Sequence, residues 1–517
     1  MCNGVRTGLA TLFEMDGRLA VGRVRPLRTR SVGHVLGRFS LPTRLLLGLL
    51  ACVALLVGMA GAASAATRVP EIVGGSPAQI TAYPWMASLD ISTDVGGEAF
   101  CGGTVIGARW VLTAAHCIDL SDLHAQVTRV DVVVGQTNLD SSSGVKMTAD
   151  RLVINPSWDP DTLGGDFALL RLSRPAPVRA LRLVGPDENA LWAPGTTATV
   201  VGWGLTSPNG SLASSLRQAS MPIVADDACG SPGEWGSLFD PATMVCVGLG
   251  KAGVGSCQGD SGGPLLVPDR LGDWVEVGIN SWGADVCADP TLPDVFARLG
   301  TLTPAIVAVL QADPVAPVGL PQISTGSARS VTAQTATVAG MVSASGLGTD
   351  YRIEYGPTQS YSSTAGGYAD DGTSQRPLSI KLAKLAPSTT YHYRIAAVNA
   401  AGSATGGDET FTTKALVGLG RPSRHSGYVL QVPVTCNEPS NVACTGELRV
   451  TATSGRRTLA TGTARLSRLN GQKTTALLVQ LTSKTDKPLP AGKTTITVTF
   501  AASAAGVRQT ISKQTTL

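Results

Sequence analysis

The chain has 517 residues, of which 60 are glycine and only 15% are Asp, Glu, Lys or Arg. That length is too great for a single core, and the composition argues against helical bundles and disorder, leaving turn-rich β structure in about two to four domains. The net charge of +4 hides a split. Residues 72–311 carry 12 Lys/Arg against 24 Asp/Glu, whereas residues 416–517 carry 13 against 3, which points to separate tasks or to a contact between the two.

Residues 1–66 read as a signal peptide region. Arginines 23, 25, 28, 30, 38 and 44 precede the apolar run LLLGLLACVALLVGMAGAASAA. The run ends in small residues, and Ala63-Ser64-Ala65 fits signal-peptidase cleavage better than an uncleaved span. Cys2 and Cys52 leave with this segment. Cysteines 101, 117, 229, 246, 257, 287, 436 and 444 remain, an even number in an exported chain, which predicts disulfides. No CxxC pair suggests zinc, and no acidic loop reads as a calcium site. No metal and no cofactor is expected.

From Ile72 to Asp313, short apolar runs such as TVIGARWVLTA, RVDVVVG, DFALLRL and EVGINSW are separated by Gly, Pro, Asn and Asp. They read as strands of an antiparallel barrel or sandwich. A helix is expected at the end, with Thr303 as cap and Pro304 in the first turn before AIVAVLQ. Residues 314–321 read as a Pro-rich linker. Residues 322–415 and 416–517 form two further β blocks of sandwich size, with Cys436 and Cys444 close enough in sequence to close a small loop. Asn209-Gly210-Ser211 is a glycosylation acceptor only in a host that glycosylates, and the signal region and composition look bacterial. The fold class is thus all-β throughout.

A serine hydroxyl becomes a useful nucleophile when a base takes its proton and a third group orients that base. The chain offers Ser261 in GDSGG, His116 at the end of a predicted strand in VLTAAHC, and Asp166 at the start of another in GGDFALLRL. Glycines 259, 262 and 263 allow a sharp turn around Ser261 and leave amides free to face a developing oxyanion.

Residues 72–311 resemble the chymotrypsin-like (trypsin-fold) serine proteases over their whole length. The resemblance is carried by IVGG (72–75), TAAHC (113–117), DFALL (166–170), GWG (202–204), GDSGGP (259–264) and SWG (281–283), in order and at fitting spacing. It implies two packed six-stranded barrels with the site between them. It implies Ser261 as nucleophile, His116 as base then acid, Asp166 as the orienting group, and the amides of Gly259 and Ser261 as the oxyanion hole. Ser281, Trp282 and Gly283 would line the substrate strand and pocket. The implied disulfides are Cys101–Cys117, Cys229–Cys246 and Cys257–Cys287. The resemblance also implies activation by a new amine at Ile72 that folds inward to pair with Asp260. Glu71 stands where Arg or Lys is usual, so a glutamate-specific protease is expected to remove a short activation segment, residues 67–71.

The specificity pocket departs from the trypsin pattern. The aspartate expected six residues before the nucleophile is replaced by Gly255, followed by Ser256. The usual Pro-Gly-Val-Tyr after the last cysteine reads Pro293-Asp294-Val295-Phe296. Either the pocket charge has moved from floor to wall, which admits Lys or Arg as well as Leu, Phe or Tyr at P1, or Asp294 faces solvent or a neighbouring backbone amide. Asp285 and Asp289 read as rim or loop residues.

Residues 322–415 resemble a bacterial fibronectin type III module through YRIEYG, LAPSTTYHYRIAAVNAAG and TFTT. The basic block 416–517 matches no nucleic-acid motif, and its charge suits an anionic cell-wall polymer, the acidic protease block or plain solvation. The resulting expectation is a monomeric, secreted or wall-associated endopeptidase acting on protein or peptide substrates. The alternative is a surface binding protein with a vestigial or self-processing protease domain, against which the intact triad argues.

Overall fold

Six strands, Met86–Thr93, Glu98–Gly107, Trp110–Thr113, Val127–Val134, Val145–Ile154 and Ala168–Leu172, close into an antiparallel barrel. Closure follows from the first strand, which pairs with both Glu98–Gly107 and Val127–Val134. Alternate residues of these strands, among them Leu89, Ile91, Val132 and Val134, are fully buried inside it, the period-two pattern of a half-buried strand. This computed structural model describes residues 72–517 except 208–209, 249–252, 316–317, 370 and 486–487. Residues 1–66, on which the signal-peptide expectation falls, the segment 67–71 with Glu71, and Asn209 lie outside the described residues.

A second antiparallel set runs through Thr197–Gly202, Arg217–Pro222, Met244–Val247, Pro264–Pro268, Trp274–Trp282 and Asp294–Arg298. It curls until a bridge between Ile223 and Val247 joins its two ends. One apolar core is continuous through both sets. The helix closing this region spans Leu299–Gln311, so it begins before the expected Thr303 cap and carries Pro304 inside it. Its buried face, Leu299, Leu302, Ile306, Val307 and Leu310, keeps helical spacing across the proline, and that burial overrides the local stop signal. Among the described residues no helix is long and apolar enough to cross a membrane.

Two further β regions follow. Residues from Gln322 to Thr412 form a three-stranded and a five-stranded sheet around Val338, Ile353, Tyr393 and Ile395. Residues from Val417 to Thr516 form a four-stranded and a five-stranded sheet around Val432, Leu448, Val450 and Phe500. The segment between the barrels and the first of these is packed where it is described. Asp313 is 1% exposed and accepts hydrogen bonds from Arg151 and Arg171, both at 3.0 Å, and Val318 joins the barrel core.

The region 322–412 is pinned to the barrels by charge. Arg182 is 1% exposed, donates from Nε to Asp350, and donates from Nη1 to Glu188 at 2.5 Å. The Tyr368 hydroxyl donates to the Ala180 carbonyl at 2.6 Å, and the Arg179 guanidinium lies 3.6 Å from the Tyr368 ring centre. At Gly348 an added Cβ would lie 2.7 Å from the Leu181 carbonyl oxygen, so glycine permits the close approach of the two backbones. Removing one member of a buried ion group leaves its partners charged and unpaired. Arg182→Met should therefore destabilise the protein by about 3–5 kcal/mol, read as a fall in the urea midpoint. Glu447→Ala, which breaks the exposed Glu447–Arg449 pair, should cost under about 1 kcal/mol.

Candidate active site

His116 comes three residues after the strand Trp110–Thr113 ends, and its side chain is 28% exposed. Nδ1–H donates to Asp166 Oδ2 at 2.8 Å, and the His116 amide donates to Oδ1 at 3.0 Å. This assigns the ring proton to Nδ1 and leaves Nε2 free to accept one. Asp166 is wholly buried. Burial alone would push its carboxyl up, but the charge and hydrogen bond of His116, with bonds from the Ser281 hydroxyl and the His116 amide, hold it below the ordinary range. Burial alone would lower His116, and the Asp166 carboxylate outweighs it, raising the imidazole above its ordinary 6.5.

Ser281 reaches Asp166 because of a β-bulge. Asn280 pairs with Phe296 and Trp282 with Val295, so Ser281 is the extra residue on its strand. A bulge re-aims the side chain it carries, and the Ser281 hydroxyl donates to Asp166 Oδ2 at 2.5 Å.

Ser261 sits in a turn wedged against the strand that leads to His116. The Gly102 amide, on the adjacent strand Glu98–Gly107, donates to the Ser261 carbonyl at 2.8 Å, and the Cys101–Cys117 disulfide ties this adjacent strand to the residue after His116. Gly262 has φ +77°, and a Cβ there would lie 2.1 Å from Thr113 Oγ1 and 3.1 Å from the Ala114 nitrogen. Only glycine allows this approach. Gly259 has φ +92°, and the amides of Gly259 and Ser261 have no internal acceptor among the described residues.

Asp260 is buried beneath this turn. Its carboxylate accepts from the Gly204 amide at 2.8 Å and the Cys257 amide at 3.0 Å. A Cβ at Gly202 would lie 2.1 Å from its Oδ1, and one at Gly204 2.4 Å from its Cγ, so the two glycines of GWG make room for it. Burial first, and the charge of Asp294 last, push Asp260 up to about 7, and among the described residues no cation pairs with it. Ile72 is fully buried, and the Val73 carbonyl accepts from the Gly255 amide at 3.0 Å.

A cavity of about 210 Å³ opens beside Ser261 and is lined by Ser256, Ser281, Trp282, Gly283 and Asp294 among others. Asp294 Oδ2 accepts from the Ser256 amide at 2.6 Å and the Ser256 hydroxyl at 2.8 Å. Burial raises Asp294 to about 6, and the two bonds from Ser256 oppose it. Its carboxylate occupies the space a side chain at position 255 would need. A Cβ on Gly255 would lie 3.2 Å from Asp294 Oδ2 and 2.9 Å from Ala288 Cα. Asp285 is exposed at the rim of this cavity, and Asp289 caps its own loop through Thr291 and Leu292. The structure contains the disulfides Cys229–Cys246, Cys257–Cys287 and Cys436–Cys444 as well as Cys101–Cys117. Cys101, His116 and Cys117 converge closely enough to suggest a metal, but both thiols are spent in a disulfide.

A family model described as Trypsin matches residues 72–306. A trypsin of Saccharopolyspora erythraea is 37% identical over 230 residues, 44% of this chain and 93% of that protein. A trypsin-like protease of Streptomyces glaucescens is 34% identical over 232 residues, 45% of this chain and 79% of that protein. A chymotrypsin-like elastase family member 1 of Canis lupus familiaris is 36% identical over 244 residues, 45% of this chain and 90% of that protein. This chain belongs to the trypsin family of serine proteases.

In this trypsin-family endopeptidase, hydrogen bonds join His116, Asp166 and Ser281 and Ser256 with Asp294, and Ser261, Ser281, Trp282, Gly283 and Asp294 share one cavity, while Glu71 and Asn209 lie outside the described residues. Two contacts were left without named partners by the sequence reading, which offered Asp294 a neighbouring backbone amide as one alternative. The Ser281 bond to Asp166 depends on a bulge that no local pattern announces. The Ser256 bonds to Asp294 join residues 38 positions apart, although the paired Gly255 and Asp294 anomalies flag the spot. If His116 is the base that the family resemblance implies, turnover needs it neutral, and kcat/KM should rise with pH through the raised His116 pKa. Asp166→Asn should shift that limb to lower pH and lower kcat by about 10⁴-fold, as measured by a pH–rate profile.

Proposed function

We propose that this protease cleaves internal peptide bonds of protein or peptide substrates through an acyl-enzyme on Ser261. The carrying observation is the buried Asp166 bonded to His116 at 2.8 Å, beside a serine turn anchored to the same strand end. The Ser261 hydroxyl attacks the scissile carbonyl while His116 Nε2 takes its proton. The amides of Gly259 and Ser261 stabilise the oxyanion. Collapse breaks the C–N bond, and His116 returns the proton to the leaving amine. Water, activated by the same imidazole, then releases the acyl group.

The chain is made as a precursor and opened before Ile72, so that the freed amine pairs with Asp260. The cation-free burial of Asp260 supports this, because an uncompensated buried carboxylate is costly. The disulfides fit an extracellular protein, in keeping with secretion directed by residues 1–66. The region 322–415 is a fibronectin type III-like module joined by residues 314–321 to the protease domain, residues 72–313. The basic domain 416–517 offers charge to an anionic cell-wall polymer. The protein acts as a monomer without cofactor.

The pocket reads P1 through Asp294. Its carboxylate pairs with Lys or Arg, and the cavity of about 210 Å³ in front of it admits Leu, Phe or Tyr. Protein beginning at Ile72, given a mixed peptide library, should cleave after both classes, and Ser261→Ala should abolish turnover. Asp294→Gly should cut kcat/KM for Lys and Arg by about 10²-fold, the ~3 kcal/mol cost of losing a buried charge partner, and spare Leu. The Arg-to-Leu ratio should also fall below about pH 6, where Asp294 takes up a proton. Cleavage after apolar residues alone would remove Asp294 from the pocket's chemistry, and no turnover at all would overturn the proposal.

A further inference from the structure

A second cavity, of about 400 Å³, lies between the barrels and the β region that follows them, and shares no lining residue with the cavity beside Ser261. One wall comes from residues 187–191 and 269–271, the other from the strands Thr349–Gly356 and Ser363–Ala369 and the turn before the latter. The two walls are locked together by Arg182, Tyr368 and Gly348, so the cleft is formed before any ligand arrives.

Its charges do not cancel internally. Arg182 is shared by Asp350 and Glu188. Both oxygens of Glu354 are taken, one by Arg352 and one by Arg394. Asp350 lines the cleft, is 3% exposed, and has bonded only Oδ2, leaving Oδ1 buried without a partner. Asp187 is exposed and has no partner among the described residues, and Asp269 Oδ1 accepts only from the amides of its own turn. Among the described residues, the one lining cation without a carboxylate is Arg270, exposed at the rim. A buried acceptor left unpaired is costly, and a donor that reaches it recovers that cost.

The acceptors do not suit a metal ion. Among the described residues no three carboxylates bring oxygens within 4.8 Å of one another, whereas a hard cation needs six or so converging oxygens. A guanidinium or ammonium on a long apolar stem suits dispersed acceptors, and Tyr351 in the wall offers a face for the stem, while Tyr361 already carries Arg394 4.7 Å from its ring centre.

We propose that this cleft is a second polypeptide-binding site, which takes arginine or lysine side chains of a basic segment against Asp187, Asp269 and Asp350, away from the Ser261 cavity. It does not depend on Asp294 reading P1. The probe is a fluorescein-labelled tetra-arginine peptide, followed by anisotropy on the full secreted chain carrying Ser261→Ala. Asp187→Asn with Asp269→Asn should weaken binding at least tenfold, and the side-chain carbonyl kept by the second change still accepts the amides of its turn. With Asp294→Gly also in place to remove the arginine partner of the substrate pocket, this tenfold loss should persist, and the control pair Asp122→Asn with Asp140→Asn elsewhere on the acidic surface should change binding less than twofold. Thermal midpoints of all variants should agree. Binding that survives the first pair, is no longer weakened by it once Asp294→Gly is in place, or falls equally with the control pair would overturn the proposal. So would calcium chloride alone binding the cleft and displacing the peptide.

Discussion

Asp260 is removed from solvent with two amide hydrogen bonds and, among the described residues, no cation. The catalytic turn is built around that carboxylate. The Gly263 amide donates back to the Asp260 carbonyl at 2.9 Å, the GWG glycines exist to clear its oxygens, and Ser261 follows it directly. Its folded pKa of about 7 exceeds the ordinary 3.8, so the folded chain binds this proton more tightly than the unfolded chain does. The stabilisation is complete below the ordinary value and is lost as pH rises toward about 7. A buried ammonium beside it would reverse the sign, holding the carboxylate ionised and rewarding neutral pH. The Ser261 turn is thus coupled, through one side chain, to the charge state of Asp260.

A second buried carboxylate lies near the first. Asp294 raises Asp260 further through its charge, and Ser256 links Asp294 to the loop that runs through Cys257 into the catalytic turn. Two carboxylates at positions 255 and 294 would compete for one space in a medium of low dielectric, where like charges cannot both ionise. The glycine at 255 and the aspartate at 294 are therefore sterically linked, since the Asp294 carboxylate lies where a side chain at 255 would begin.

Much of the site was legible because its motifs are steric. Gly202, Gly204, Gly259 and Gly262 stand where any side chain would collide with Asp260, Leu212 or Thr113, so those strings carry their reason locally. The strands were legible from period-two burial. The helix start was not, because Leu299 and Leu302 are fixed by packing against the barrels and not by a cap. The bonds between Arg182 and Asp350, 168 residues apart, leave no local trace. They turn what reads as a module on a Pro-rich linker into a β region fastened to the protease along a buried, charged seam.

The most direct measurement is covalent labelling of Ser261 by a fluorophosphonate, followed by mass spectrometry, on the chain before and after cleavage ahead of Ile72. Such reagents report a serine that is both activated by its base and faced by oxyanion donors. Stoichiometric labelling of Ser261 only after cleavage, lost in His116→Ala, is the predicted result. Equal labelling of the uncut chain would contradict the dependence on Asp260, and an unlabelled Ser261 in the cleaved chain would contradict the triad itself.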